Sequence, residues 1–246
     1  MTSFDAPRQP VDPKALSDAA DCFGTPCFVY FEDVIRDRVE TLREAFARWD
    51  VRLLYAMKAN SNVSVLRVME SAGVALDVVA PGEAALAFLC GFKPQHVFFS
   101  GNNLSDDDVR WACDADVWIN VGEVSALKTV ARHRPGAAIS LRVNLEVGAG
   151  HHQHVVTGGK GSKFGITEDA IPVAVAAAER LGLSIRGLHQ HIGSGNLDPA
   201  PMVRAVERLT VVSRGIDRLA FVNIGGGLGV PYRPDQDPLD PADMAN

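Results

Sequence analysis

The sequence predicts an α/β fold of parallel strands, arranged as a (β/α)8 barrel of the TIM type. Three observations carry this. One unit recurs along the 246 residues: an apolar strand, a polar or glycine-containing turn, then an amphipathic helix. The connections are short, and such alternation means parallel strands joined by right-handed crossovers. Lys58, Asp77, Ser100, Asn120 and Arg142 follow one another at intervals of 19, 23, 20 and 22 residues, each at or near the C-terminal end of a strand. A doubly wound sheet would gather such groups at one switch point. A barrel spreads them over every strand end, the face that carries its active site.

The strands are predicted at 52–58, 74–79, 96–100, 116–121, 138–144, 184–191 and 219–224. Between them, Val34–Trp49 places Ile35, Val39, Leu42 and Phe46 at helical spacing. Ser105-Asp-Asp-Asp108 reads as a capping start to a helix through Cys113, and Pro81-Gly-Glu83 opens another. Thr167–Leu181 and Pro199–Arg214 are further helices, and Glu123–His133 is a weaker one. Two stretches break the rhythm. Residues 1–30, ending in Thr25-Pro-Cys-Phe-Val-Tyr30, read as a segment with a strand belonging to something outside the barrel, which occupies 31–246. Gly148–Gly165 is an insertion rich in glycine and histidine, and a loop of that length at the catalytic face is usually functional.

Composition narrows the function. Hydrophobic residues make up 47% and charged residues 22%, ordinary for a soluble globular protein. A formal charge of -6 argues against nucleic-acid binding, which runs on basic patches. No apolar run reaches the roughly 20 residues of a membrane span, and Met-Thr-Ser-Phe-Asp-Ala-Pro has no secretory pattern. Cys22, Cys27, Cys90 and Cys113 form no CxxC pair, so neither a zinc site nor a disulfide scaffold is expected. A cytoplasmic enzyme is the default.

Lys58 is the most informative residue. In Arg52-Leu-Leu-Tyr-Ala-Met-Lys-Ala-Asn60, strand alternation puts Leu54, Ala56 and Lys58 on one face. A lysine ending an apolar face is either snorkelling to water or desolvated into a nucleophilic amine for carbonyl chemistry. Arg142 shares one strand face with Ser140 and Asn144, and a buried strand carries an arginine inward only to meet an anion or a carboxylate. His189-Gln-His-Ile-Gly-Ser194 ends a strand with both histidines on one face; Gly193 and Ser194 suit a phosphate. Ile224-Gly-Gly-Gly-Leu-Gly229 offers successive N–H groups to an anion, but it lacks nucleotide-loop spacing and follows the last strand. His151-His-Gln-His154 has no accompanying metal-ligand spacing, so no metal is expected there.

Six motifs in register, Tyr55-Ala-Met-Lys-Ala-Asn60, Asp77 with Pro81-Gly-Glu83, Leu141-Arg-Val-Asn144, Ser162-Lys-Phe-Gly165, His189-Gln-His-Ile-Gly-Ser194 and Gly225-Gly-Gly-Leu228, resemble the fold-type III, pyridoxal 5'-phosphate-dependent amino-acid decarboxylases. The resemblance runs from about Thr25 to Tyr232, and the Gly148–Gly165 insertion resembles the diaminopimelate branch more than the ornithine or arginine branches. It implies the alanine racemase-like barrel and decarboxylation of meso-2,6-diaminopimelate to L-lysine. It implies that Lys58 carries the cofactor as an aldimine and that His191 stacks on its ring. Ser194, Gly225, Gly226 and Gly227 would hold the phosphate, and Asp77 and Arg142 would line the pocket. The amino-acid substrate is the expected small-molecule partner, and a homodimer the expected full-length assembly. The family's Glu-Pro-Gly-Arg segment, which supplies a carboxylate to the pyridine nitrogen from the eighth strand, does not occur, nor does its C-terminal β-domain. The chain therefore reads as an N-terminal portion. The alternatives are a decarboxylase of another basic or specialised-pathway amino acid and a non-catalytic single-barrel cofactor-binding protein. His189–Ser194 and Gly225–Gly229 argue against the latter.

Overall fold

The computed structural model describes residues 12–147 and 164–245. Its main sheet holds seven parallel strands in sequence order: β1 Leu54–Ala56, β2 Ala75–Val78, β3 Val97–Phe99, β4 Trp118–Val121, β5 Ala138–Asn144, β7 Ser184–His189 and β8 Phe221–Asn223. A two-residue strand, β6 (Ile166–Thr167), pairs with β5 beside the path. All seven predicted strands are present. Among the described residues β1 pairs only with β2 and β8 only with β7, so the sheet stays open. The architecture is a part-barrel of parallel strands with helices outside.

The helices follow local chemistry. α1 (Pro13–Phe23) starts on Asp12, and α2 (Glu32–Ala45) carries Val39 inward. α3 (Val63–Ser71) is capped by Asn62, and α4 (Pro81–Leu89) has proline in its first turn. α5 (Asp106–Asp114) has the predicted reciprocal cap of Ser105 and Asp108. α6 (Ala126–His133), α7 (Ile171–Arg180) and α8 (Ala200–Ser213) follow, each shorter than its predicted range. α7 starts late because Pro172 belongs in a first turn and Glu168–Ala170 form a 3-10 turn before it. α9 (Ala242–Ala245) returns to the corner before β1, where the Ala245 carbonyl accepts from Trp49 Nε1 at 2.9 Å and from Arg48.

Strand alternation divides the sheet into two chemistries. The outward set, including Leu76, Val78, Phe99, Ile139, Leu141 and Leu188, is buried in the main core with Leu66, Leu127 and Leu209. Each fully buried side chain of this size contributes about 1.5–3 kcal/mol. The other set faces the lumen. Its floor is aromatic: Phe221 lies edge-on to Trp118 at 5.1 Å and to Phe98 at 6.1 Å. Gly187 is required there, because a Cβ would run into the Phe221 ring. Above that floor sit the polar residues Asp77, Asn120, Ser140, Arg142 and His189.

The N-terminal segment carries a helix that the sequence reading had not marked. Its described part opens with α1 and continues without regular secondary structure, with Phe28 92% and Tyr30 56% exposed. Thr25–Tyr30 makes no strand pairing among the described residues. Residues 1–11 and most of the Gly148–Gly165 insertion, with His151–His154 and Ser162-Lys163, lie outside the described residues.

Candidate active site

Lys58 does not continue β1. The strand ends at Ala56, and Met57–Ala59 form a 3-10 turn. The alternation that aligned Lys58 with Leu54 and Ala56 lapses once the backbone leaves the extended region. The turn sends Met57 into the core and leaves Lys58 exposed at the sheet's C-terminal face, the water-facing one of its two readings. Tyr55 Oη donates to the Asn60 carbonyl at 3.1 Å, and Asn60 Oδ1 accepts from Asn62 N at 2.9 Å. Asn-Ser-Asn is thus the local cause of the early break.

Around Lys58 the remaining strand ends converge. Asp77 is level with Ala56 across β1 and β2, and its Oδ1 accepts from the Ser100 hydroxyl. Burial raises the Asp77 carboxyl above its ordinary range, opposed by the Ser100 hydrogen bond and by the charges of Lys58 and Arg142. Arg142 is 7% exposed; Nη1 donates to Asn102 Oδ1 at 3.2 Å, and the guanidinium lies 4.9 Å over the Phe164 ring. Burial lowers its pKa, opposed by Asp77. At the head of α4, Glu83 Oε2 accepts from Val79 N at 2.8 Å, so the protein's own carboxylate uses that helix start.

Both histidines of His189-Gln-His191 are present at the end of β7. Burial first, and then the nearby charges of Lys58 and Arg142, lower the His191 pKa to about 4, against the opposing effect of a hydrogen bond with the Gly226 backbone. His189 is pushed well below the ordinary histidine range, mainly by burial and then by Arg142, His191 and Lys58. Both are therefore neutral near pH 7. An unfolded histidine titrates near 6.5, so between that value and about 4 the unfolded chain binds more protons than the folded one. Stability should therefore fall as pH drops through this window. Asp77, with a raised pKa, works in the opposite direction. Urea midpoints at about pH 7 and about pH 5 are expected to differ less in His191→Phe than in the parent. An equal difference would remove His191 from the account.

Two loops close the mouth. Gly225 and Gly227 have positive φ of 78° and 104°; a Cβ on either would meet the Gln190 or Gly193 carbonyl. Asn196 fastens the loops together: its N–H donates to the Gly227 carbonyl at 2.9 Å, and its carbonyl accepts from the Gly229 N–H at 2.7 Å. Gly226 differs, since it is exposed and a Cβ there meets nothing within 4 Å. Ser194 is exposed as well. A backbone cradle with an open centre, an exposed hydroxyl and a nearby arginine fits an anionic group such as a phosphate. Asn102, Phe164 and Asn196 had not been singled out individually from the sequence. Only Asn196, directly after the Gly-Ser-Gly run, carried a local signal.

Among the described residues no group of three or more His, Cys, Asp or Glu side chains could hold a metal ion. No described helix is long and apolar enough to cross a membrane.

Parallel strands thus bring a lysine, an aspartate, an arginine, a histidine and a glycine cradle to one face of an α/β part-barrel. Residues 32–246 match the pyridoxal-dependent decarboxylase family over its pyridoxal-binding domain, and the chain belongs to that family, whose cofactor is pyridoxal 5'-phosphate. It is similar to diaminopimelate decarboxylase of Methanothermobacter thermautotrophicus, 42% identical over 237 residues covering 93% of this chain and 55% of that protein. The diaminopimelate decarboxylase of Pseudomonas aeruginosa is 38% identical over 238 residues, covering 92% and 57%. Among solved structures, diaminopimelate decarboxylase from Helicobacter pylori complexed with L-lysine matches with a TM-score of 0.84 at 31% identity, over 92% of this chain and 60% of that one. The chain spans a little over half the length of the curated relatives it matches.

Proposed function

We propose that the chain is the cofactor-binding part of a carboxy-lyase that converts meso-2,6-diaminopimelate to L-lysine and carbon dioxide. The observation that carries this reading is the convergence of Lys58, Asp77, Arg142, His191 and the Gly225–Gly227 backbone at one barrel mouth. When bound, the cofactor supplies the electron sink that decarboxylation needs. Lys58 would present a primary amine to its aldehyde. Ser194 and the N–H groups of Gly225, Gly226 and Gly227 would hold its phosphate. His191, uncharged near neutrality, would lie against its ring. Asp77 and Arg142 line the pocket with opposite charges. Arg142 gives a chain of net charge -6 a local cation for a substrate carboxylate.

The test joins this chain to the C-terminal portion of the Methanothermobacter relative and follows carbon dioxide release. meso-Diaminopimelate is expected to give the highest kcat/KM among it, L-ornithine and L-arginine. Preference for either of the others, or release from none, would overturn the reading. A cytoplasmic homodimer belongs to the same proposal. It is supported by four free cysteines, as a reducing compartment keeps them, and by the exposed Phe28 and Tyr30.

The cradle can be tested separately. Gly226→Val is expected to keep the fold, because its side chain enters open space, and to weaken cofactor binding about tenfold or more by filling the phosphate position. Ser194→Ala should weaken it less. Absorbance titration of the cofactor decides this, and unchanged affinity in both variants would refute the cradle.

A further inference from the structure

Beneath the residues assigned to the cofactor runs a buried polar chain across three neighbouring strands. Ser140 Oγ donates to Asn120 Oδ1 at 2.5 Å, and Asn120 Nδ2 faces His189 Nδ1 at 2.9 Å. The three residues are 0%, 2% and 5% exposed. Strand register places Asn120 level with Ser140 and His189 level with Arg142. A carboxamide is directional. With its oxygen taken by the Ser140 hydroxyl, Asn120 offers N–H to the imidazole, and a donor opposite Nδ1 requires that nitrogen to carry the lone pair. The proton of the neutral ring then resides on Nε2. Phe98 meets the ring edge-on at 5.5 Å and restricts its plane.

His189 makes no other hydrogen bond among the described residues. Strand alternation puts the ring on the lumen side of β7 with Arg142 beside it, and Nε2 is the ring nitrogen left for a ligand there. The charged and titratable groups around it are Arg142, Lys58 and His191, with Asp77 beyond. Beside two cations, a third positive charge would be repelled. A neutral N–H suits the place.

We propose that Ser140 and Asn120 are positioning residues that lock His189 as its Nε2–H tautomer, so that β7 presents a fixed, uncharged donor to the ligand in the lumen. The acceptor would be an oxygen borne by the pyridoxal ring, since the resemblance assigns the ring nitrogen to a carboxylate. Only the identity of that ligand rests on the function proposed above; the tautomer does not.

The experiment has two arms. Nitrogen-15 NMR of the histidine rings in the 246-residue chain without cofactor is expected to show an unprotonated Nδ1 and a protonated Nε2 for His189. Asn120→Leu, or Ser140→Ala should the first not fold, is expected to give a mixture of tautomers. A protonated Nδ1 or a mixture in the parent chain overturns the lock. The second arm titrates pyridoxal 5'-phosphate by absorbance. His189→Leu is expected to weaken binding about tenfold, whereas His189→Gln, whose amide nitrogen reaches the Nε2 position, stays within about threefold. Equal losses in the two overturn the donor role. A parent chain that binds no cofactor sinks the proposed function, while the NMR arm still decides the lock.

Discussion

Borohydride reduction of the chain loaded with pyridoxal 5'-phosphate is expected to fix the pyridoxyl group on Lys58, and Lys58→Ala to remove nearly all of it. The chain has six lysines. Lys14 lies on α1, Lys93 before β3 and Lys128 on α6, all away from the barrel mouth. Lys58 alone among the described lysines bears electrostatically on Asp77, His189 and His191 at once. An amine reacts with an aldehyde held beside it far faster than with one met by diffusion, since proximity replaces a bimolecular encounter. The difference between Lys58 and a surface lysine should therefore exceed about a hundredfold, or about 2.7 kcal/mol. Peptide mass mapping reads the result. A label found chiefly on another lysine, or retained in Lys58→Ala, would sink the assignment.

The legibility of this site in the sequence depended on what kind of signal each residue left. Asp77, Asn120, Arg142 and His189 were legible because their strands alternate, and a polar residue on a half-apolar strand has to face something. The strand order followed from the short connections. Lys58 was located but its setting was not: Met57 looks like the next residue of a strand, and only the hydrogen bonds of Tyr55, Asn60 and Asn62 reveal the turn. α3 was missed because Asn62 is its main start signal and it lasts nine residues. α1 buries nothing, so tertiary periodicity gave it no mark. The glycine run was visible as an anion site, yet its division of labour was not. Gly225 and Gly227 are fixed by contact with the Gln190 and Gly193 carbonyls, which lie more than thirty residues earlier in the chain. Gly226 alone is free to face a ligand. Such pairing between loops is invisible to local pattern.

The 246-residue chain by itself is expected to release carbon dioxide from meso-diaminopimelate at less than about a tenth of the rate of the chimera described above, a barrier difference above about 1.4 kcal/mol. The argument starts from the open sheet. Among the described residues β1 and β8 each have one neighbour, so two rows of backbone donors and acceptors stay unpaired. Exposed apolar edges are templates for pairing between copies. Beside β1 an apolar cavity of about 300 Å³, lined by Val34, Ile35, Val39, Leu42, Leu53 and Tyr55, adds surface that water wets poorly. Lys58 follows directly on that edge strand, so fraying of β1 would misplace the amine against Asp77 and Arg142. A misplacement of about 1 Å can cost about a hundredfold in rate. The sequence also lacks the Glu-Pro-Gly-Arg segment that, by the resemblance, supplies a carboxylate to the pyridine nitrogen. The same edges predict concentration-dependent self-association, read as a rise in apparent mass by light scattering that the chimera does not show. Turnover by the short chain within about tenfold of the chimera, with a mass that stays monomeric on concentration, would show that the part-barrel already holds its site in working order.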